Sequence, residues 1–330
     1  MITIEASNIY LGGGFVLLEE FLRQLEQRAL PTRVYVGYEV VFDRLTEHCY
    51  NNIDILKSSP LGTLCRYMRK GTNTLFFCSL PPFVKYKSSV VYFHNPYFAS
   101  RPHFSIGRLK YIAYHYWVKI FKKKVDFFAC QTQNISTQLS DIGCNVKSMP
   151  FYIAVQKREL PKIYDFCYIS TVSSHKNHKR LFEAIETLVD SGKKLRFAVT
   201  IRDTEQNSEL TTKIAQINKK AAEEVIVNLG FVNRQGVEEM LNSSKAVFFP
   251  SLTETFGLPI AEAMSCGVKV IASNRAYATD LIDNPILFDP EDIGSMTSAM
   301  NDELDGKNED VSQSLNIDDK LNELISFLAK

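Results

Sequence analysis

Glu254 and Glu262 have seven residues between them in the stretch Phe249-Pro-Ser-Leu-Thr-Glu254-Thr255-Phe256-Gly257-Leu258-Pro259-Ile-Ala-Glu262-Ala-Met-Ser-Cys-Gly267. Pro259 suits the first position of a helix, where the N–H that proline lacks would have had no intrahelical acceptor. Gly257 admits a backbone turn or a close approach that a Cβ would obstruct. The N–H groups of Phe256, Gly257 and Leu258 then stand at the positive end of that helix, a ready site for a diphosphate. Glu262 is expected in the first helical turn, where its carboxylate can accept hydrogen bonds from two neighbouring hydroxyls such as those of a ribose. Glu254 precedes the helix and can face a sugar on the other side of the phosphates. Two glutamates at this spacing alone are as well read as a capped helix with solvated carboxylates; the intact pattern around them sets this stretch apart. A second cluster, Ser170-Thr171-Val-Ser-Ser-His175-Lys176-Asn177-His178, supplies a lysine as a point-charge phosphate binder. His175 and His178 stand at a metal-like i, i+3 spacing, but no nearby cysteine or acid completes a site, so solvated or helix-capping roles are expected.

These groups need elements to hold them. Ile2–Ala6, extending to Tyr10, reads as a strand that runs into Gly12–Gly14 and then a helix with Phe15, Leu18, Phe21, Leu22 and Leu25 at helical spacing. Further strands are expected at Arg33–Val36, Thr74–Cys78, Val90–His94, Asp126–Cys130 and Val146–Pro150. The pattern lapses over 151–163 and then restarts. Strands at Phe166–Ser170, Leu195–Thr200, Val225–Leu229, Ala246–Pro250 and Lys269–Ala272 alternate with helices at His178–Ser191, Ser208–Ala222, Gln235–Ser243 and Leu258–Cys266. Strand–helix alternation in both halves predicts parallel sheets wrapped by helices, with ligands at the carboxyl ends of the strands. Residues 301–313 read as an acidic loop before a last amphipathic helix at Asp318–Ala329.

The segment around Glu254 and Glu262 resembles the E-x7-E signature of glycosyltransferase family 4, whose members retain anomeric configuration. The resemblance is strong over residues 160–290 and only an outline over 1–150. It implies an α/β GT-B fold: two Rossmann-like doubly wound domains facing across a cleft, with an acceptor domain at 1–155 and a nucleotide-sugar domain at 156–315. A C-terminal helix within 316–330 returns toward the first domain. Carried over residue by residue, Glu262 binds the donor ribose and Glu254 the transferred sugar or its leaving oxygen. The backbone of Phe256, Gly257 and Leu258 holds the diphosphate, and Thr255 belongs to the same donor-binding set. Lys176 and Asn177 match the latter half of the family's second motif, whereas Ser170 and Thr171 replace its Gly and Arg, as in a branch carrying His-Lys-Asn-His. Lys176 then carries more of the phosphate charge, helped by helix N-termini and Arg180. Phe231 and Val232, after Gly230, resemble the family's nucleobase turn. Gly13 and Gly14 fall where the family has a glycine loop near donor and acceptor, and His94 where it has a polar residue near the transferred sugar. The implied catalytic residues are therefore His94, Lys176 and Glu254. The absence of a DxD motif accords with a metal-independent reaction, with no cofactor beyond the nucleotide-diphosphate sugar as substrate.

Composition sets the partners expected. The chain has 330 residues and a net charge of +1, yet residues 1–150 hold 18 Lys+Arg against 10 Asp+Glu (+8), and residues 151–330 hold 20 against 27 (−7). The basic first half predicts an anionic counterpart. In 106–124 a helix with an apolar stripe carries flanking tyrosines and ends in Lys122-Lys123-Lys124, so an anionic membrane surface is one candidate, with Arg66, Arg69 and Lys70 adding to it. No nucleic-acid module is recognised. A UDP- or GDP-sugar donor and a glycan or lipid-linked oligosaccharide acceptor of bacterial surface polysaccharide are expected. A nucleotide-sugar epimerase of the same fold and a non-catalytic sugar-nucleotide-binding subunit are the alternatives. Without a signal-like start or a long apolar run, the chain is expected in the cytoplasm or peripherally at the inner face of the plasma membrane. Seven dispersed cysteines are read as small buried apolar residues.

Overall fold

The computed structural model describes residues 1–77, 80–93 and 109–330. The chain divides into unit 1, Met1–Ile153 with Ile317–Lys330, and unit 2, Ala154–Asn316.

Unit 1 alternates β1 (Ile2–Ala6), α1 (Gly13–Gln27), β2 (Thr32–Val36), α2 (Glu39–Thr46), β3 (Ile53–Lys57), α3 (Pro60–Tyr67), β4 (Thr72–Phe76), β5 (Lys87–Tyr92), α4 (Leu109–Phe121), β6 (Phe127–Cys130), α5 (Gln133–Asp141) and β7 (Val146–Ser148). The sheet order is β3-β2-β1-β4-β5-β6-β7, with every pairing parallel. Strands covered on both faces carry continuous apolar runs, as in Phe127–Cys130, where all four residues are buried. At the sheet edge only Ile53 of β3 is buried, so periodicity alone does not reveal that strand. Phe15, Leu18, Phe21, Leu22 and Leu25 of α1 are all buried, as their spacing predicts. Gly12, just before α1, has φ of 144°, which side chains rarely adopt.

Unit 2 repeats the scheme with β8 (Tyr164–Tyr168), α6 (His178–Asp190), β9 (Phe197–Val199), α7 (Ser208–Ala221), β10 (Ile226–Asn228), α8 (Arg234–Asn242), β11 (Ser244–Phe249), α9 (Leu258–Ser265), β12 (Lys269–Ser273), α10 (Ala276–Leu281), β13 (Ile282–Asp283), β14 (Ile286–Phe288), α11 (Ile293–Leu304) and β15 (Ser314–Leu315). Its parallel sheet runs β10-β9-β8-β11-β12-β14, and β13 pairs antiparallel with β15. The parallel-sheet expectation thus holds in each unit. The last helix, α12 (Leu321–Leu328), buries Leu321, Leu324, Ile325 and Leu328. It belongs to unit 1: Phe327 meets Phe127 of β6 edge-on at 4.9 Å, and Lys320 N–H donates to the Pro150 carbonyl at 2.8 Å.

Several expectations change. β1 ends at Ala6 rather than running to Tyr10. The expected loop at 301–313 is helical over its first part, because α11 continues to Leu304 with Met296 and Met300 buried beneath it. The cysteines are not uniformly buried: Cys49 and Cys65 are exposed. Among those inside, burial pushes the Cys130 thiol up to about 11 and Cys167 to about 12, so both stay protonated.

Candidate active site

In unit 2 the strand order reverses between β8 and β11, which lie side by side at the centre of the sheet. The chain leaves β8 toward β9 and leaves β11 toward β12 on the other side. The carboxyl ends of two such strands open a crevice, the usual ligand position in doubly wound sheets. Lys176 lies on the segment that follows β8, and Glu254 on the segment that follows β11. Lys176 Nζ donates to Glu254 Oε1 at 2.5 Å, with the two side chains 14% and 13% exposed. A charge-assisted pair this sheltered needs both partners, since removing one strands the other.

Buried polar groups fix the two segments to each other. Tyr168, at the end of β8, donates its hydroxyl to the Lys176 carbonyl at 3.1 Å. A phenol has one hydrogen, so the 2.8 Å contact with Ser251 Oγ is a bond that Tyr168 accepts. Tyr277 of α10 donates to the Ser251 carbonyl at 2.7 Å, and Leu252 N–H donates to the His175 carbonyl at 2.7 Å. Asn177 takes the left-handed backbone, φ 60°, that asparagine tolerates, and its amide donates to the carbonyls of Pro250 (3.2 Å) and Pro290 (2.8 Å). Burial holds the Tyr168 and Tyr277 phenols well above their ordinary range, so both remain donors. Of these stitching residues, Tyr168, Ser251 and Tyr277 carry no signal in the sequence, whereas Asn177 stands in the second motif.

The segment from Glu254 then enters α9. Gly257 caps it with φ of 87°, a left-handed conformation that favours glycine, and a Cβ there would meet Ile260 Cδ1 at 3.2 Å, so that side chain would also have to shift slightly. Leu258, not Pro259, is the first helical residue; Pro259 is the second, where its missing N–H is equally harmless. Glu262 is the fifth and so lies in the second turn rather than the first. Its carboxylate is buried and paired with the Arg234 guanidinium. Burial raises the Glu262 carboxyl above the ordinary carboxylate range, and Arg234 draws it back. Arg234 opens α8 and also reaches Glu238 at 3.3 Å. It escaped the sequence reading because its partner lies a helix and a strand away.

Arg234 also connects the site to the turn after β10. Phe231 and Val232 occupy that turn, and Phe231 is 61% exposed. Asn228 shapes it, accepting from Ile201 N–H at 3.0 Å and from Gly230 N–H at 3.1 Å. The Arg202 guanidinium stacks over the Phe231 ring at 4.3 Å, a contact that the sequence did not suggest. His178 corrects another expectation: it is buried, not solvated, with its ring 5.2 Å from that of Tyr168 and 3.0 Å from Ser170 Oγ. Burial, then the charge of Lys176, pushes its imidazole down to about 4. His175 is half-buried and shifts the same way. Arg180 reaches Asn177 Oδ1 at 3.5 Å.

Unit 2 thus pairs Lys176 with Glu254, which leads through Thr255–Leu258 into the helix of Glu262, while Phe231 and Val232 lie in the turn just before Arg234, the partner of Glu262. Gly13 and Gly14 stand at the start of α1 in unit 1. His94 lies outside the described residues.

Known proteins are similar at three levels. Residues 154–316 match the family model described as glycosyl transferases group 1, over the same span as unit 2. O-antigen chain mannosyltransferase B of Escherichia coli is 29% identical over 132 residues, 40% of this chain and 34% of that protein. The E. coli serotype-specific mannosyltransferase WbdA is 33% identical over 76 residues, 23% of this chain and 9% of that protein. The matches therefore span 34% and 9% of the length of these curated relatives. Among solved structures, Anabaena HepE with UDP and glucose superposes with a TM-score of 0.70 at 15% identity, covering 99% of this chain and 96% of that one. Sucrose-phosphate synthase of Thermosynechococcus elongatus gives 0.65 at 12% identity, covering 100% and 94%. At such identities the likeness shows the fold, that of the GT-B enzymes. Together these findings make unit 2 similar to the glycosyl transferases group 1, on a chain with the fold of the GT-B enzymes.

Proposed function

We propose that this protein is a retaining, metal-independent glycosyltransferase of family 4, moving a hexose from a UDP- or GDP-sugar to a lipid-linked glycan in bacterial surface polysaccharide synthesis. The observation that carries the reading is the Lys176–Glu254 pair at the β8/β11 switch point, followed directly by the N-terminus of α9. In the free protein the pair is internally neutral. An incoming diphosphate competes for the Lys176 ammonium, and Glu254 is then released to accept hydrogen bonds from the sugar. Ile260 N–H already donates to the Gly257 carbonyl at 2.8 Å and Pro259 has none, so the N–H groups of Gly257 and Leu258 at the start of α9 serve the same phosphates. Glu262 exchanges Arg234 for the ribose hydroxyls, while Phe231 and Val232 flank the base.

In this reading the departing phosphate takes the acceptor hydroxyl's proton on the same face of the sugar, so no protein nucleophile is required. The protein stabilises the leaving diphosphate electrostatically and positions the two substrates. His94 is proposed to stand near the transferred sugar, with Gly13 and Gly14 near the phosphates and acceptor. The mannosyltransferase names of the E. coli relatives favour mannose as the hexose, while the HepE structures hold UDP and UDP-glucose.

A melting-temperature screen against UDP, GDP, ADP, CMP and their sugars tests the assignment, followed by release of nucleotide from the sugar that stabilises most. Stabilisation by one uridine or guanosine diphosphate series, with acceptor-dependent release, is expected. No stabilisation by any of them removes the reading.

A further inference from the structure

Two helices of unit 1 share an inner face and leave an outer one of unusual composition. Tyr67 of α3 meets Trp117 of α4 edge-on, 6.3 Å between ring centroids and 90° between planes. Tyr67 and Val118 belong to one core with Phe76, Phe93 and Phe128. These inward residues anchor both helices, so packing gives the outward residues no reason to be apolar. Yet Leu61, Leu64 and Met68, recurring along α3 and its C-cap, are 69%, 43% and 62% exposed. On α4, Tyr116 and Ile120 are 54% and 66% exposed. One exposed leucine needs no explanation, but apolar stripes on neighbouring helices do.

The charges beside these stripes have one sign. Arg69, Lys70, Lys110, Lys119 and Lys123 are exposed on the same two segments. No Asp or Glu occurs from 58 to 71 or from 109 to 125. The next acid, Asp126, is already paired with Lys85 at 3.0 Å. A second copy of this face would meet it with like charge, which disfavours self-association. An anionic bilayer fits both features at once: apolar side chains enter the boundary between headgroups and acyl chains, while the long basic side chains stay among the phosphates.

We propose that the outer face of α3 and α4 is a docking surface for an anionic lipid membrane. The proposal stands apart from the glycosyltransferase reading, and neither falls with the other. It is tested with the full chain by co-sedimentation with phosphatidylcholine vesicles and with vesicles containing roughly one-third phosphatidylglycerol. The anionic vesicles are expected to bind the protein, with binding that weakens as salt rises from about 0.05 to 0.5 M, and the neutral ones to leave it in solution. The Met68→Glu/Ile120→Glu variant is expected to lower the partition coefficient at least roughly tenfold. Its melting temperature should hold, because both side chains point outward. Lys119→Gln/Lys123→Gln should lower binding at low salt only. Absence of binding to anionic vesicles at low salt overturns the proposal, as does a Met68→Glu/Ile120→Glu variant that sediments like the parent. So does a sedimentation-velocity result in which that variant only converts a dimer to a monomer.

Discussion

Replacing Glu262 by alanine separates binding from folding at this site. In the free protein the carboxylate is 5% exposed, and Arg234, about a third exposed, also reaches Glu238 at 3.3 Å. Removing the carboxylate removes its burial penalty and leaves the guanidinium one acid and some water, so stability should change by no more than about 1–2 kcal/mol. Nucleotide binding should respond differently. Each hydrogen bond from a ribose hydroxyl to a carboxylate contributes about 1.5–3 kcal/mol. Two of them, less the cost of displacing Arg234, leave about 3 kcal/mol, or roughly 150-fold in Kd. Calorimetric titration with UDP and GDP, alongside thermal melts, measures both quantities, and turnover at saturating donor should change far less than Kd. Arg234→Ala serves as the control: it should bind nucleotide as well as the parent or more tightly, because the competitor for Glu262 is gone. The reasoning fails if Glu262→Ala binds within about threefold of the parent, or if Arg234→Ala weakens binding equally, since Glu262 would then act only by holding Arg234.

Three further outcomes are expected. Glu254→Gln should lower kcat about 100-fold or more with the nucleotide Kd within about threefold, read from steady-state kinetics beside calorimetry; unchanged turnover would exclude Glu254 from the chemistry. Lys176→Ala should destabilise the protein by about 2–3 kcal/mol by stranding Glu254, and adding Glu254→Gln should recover most of the loss in chemical denaturation; additive losses would mean the pair is not coupled. His178 gives a pH signature. Its folded value of about 4 lies below the ordinary 6.5, so its contribution is present above pH 6.5 and is lost as pH falls through about 4. The loss, on the order of 3 kcal/mol, should be visible in melts from pH 7 to 4 and shrink in His178→Asn, whereas identical pH slopes for parent and variant would rule it out.

How much of this was legible depended on whether the information was local. The α9 segment announces itself because Gly257, Pro259 and the two glutamates act within one turn and one helix, and backbone rules connect their order to their geometry. Even there the register slipped: Gly257 takes the cap position, so Pro259 and Glu262 each fall one place deeper than expected. The helices α1 and α6 were plain from their apolar spacing, and the short central strands from their unbroken apolar runs. Less legible were β3, an edge strand with a single buried residue, and α11, whose Ile293-Gly-Ser-Met-Thr-Ser-Ala-Met buries chiefly two methionines.

Contacts between distant segments carried no sequence signal. Arg234 reads as an ordinary helix-opening arginine until α8 is set beside α9. Tyr168, Ser251 and Tyr277 read as strand, loop and helix residues until their hydroxyls and carbonyls meet. His178 reads as a solvated helix start, but the ring lies under Tyr168 instead, as the sheet and α6 pack together. The apolar outer face of α3 was hidden for the opposite reason: its leucines and methionine sit at spacing that suits a core helix, and only their exposure shows otherwise.

The central claim is that Lys176 and the start of α9 hold a diphosphate. Calorimetric titration of UDP and GDP into the parent and into the Lys176→Ala/Glu254→Gln variant, which keeps the site free of a stranded charge, tests it directly. One of the two nucleotides should bind the parent with a micromolar Kd and the variant at least about tenfold more weakly, a difference that shrinks as salt rises. Parent and variant binding alike, or neither nucleotide binding the parent, would contradict it.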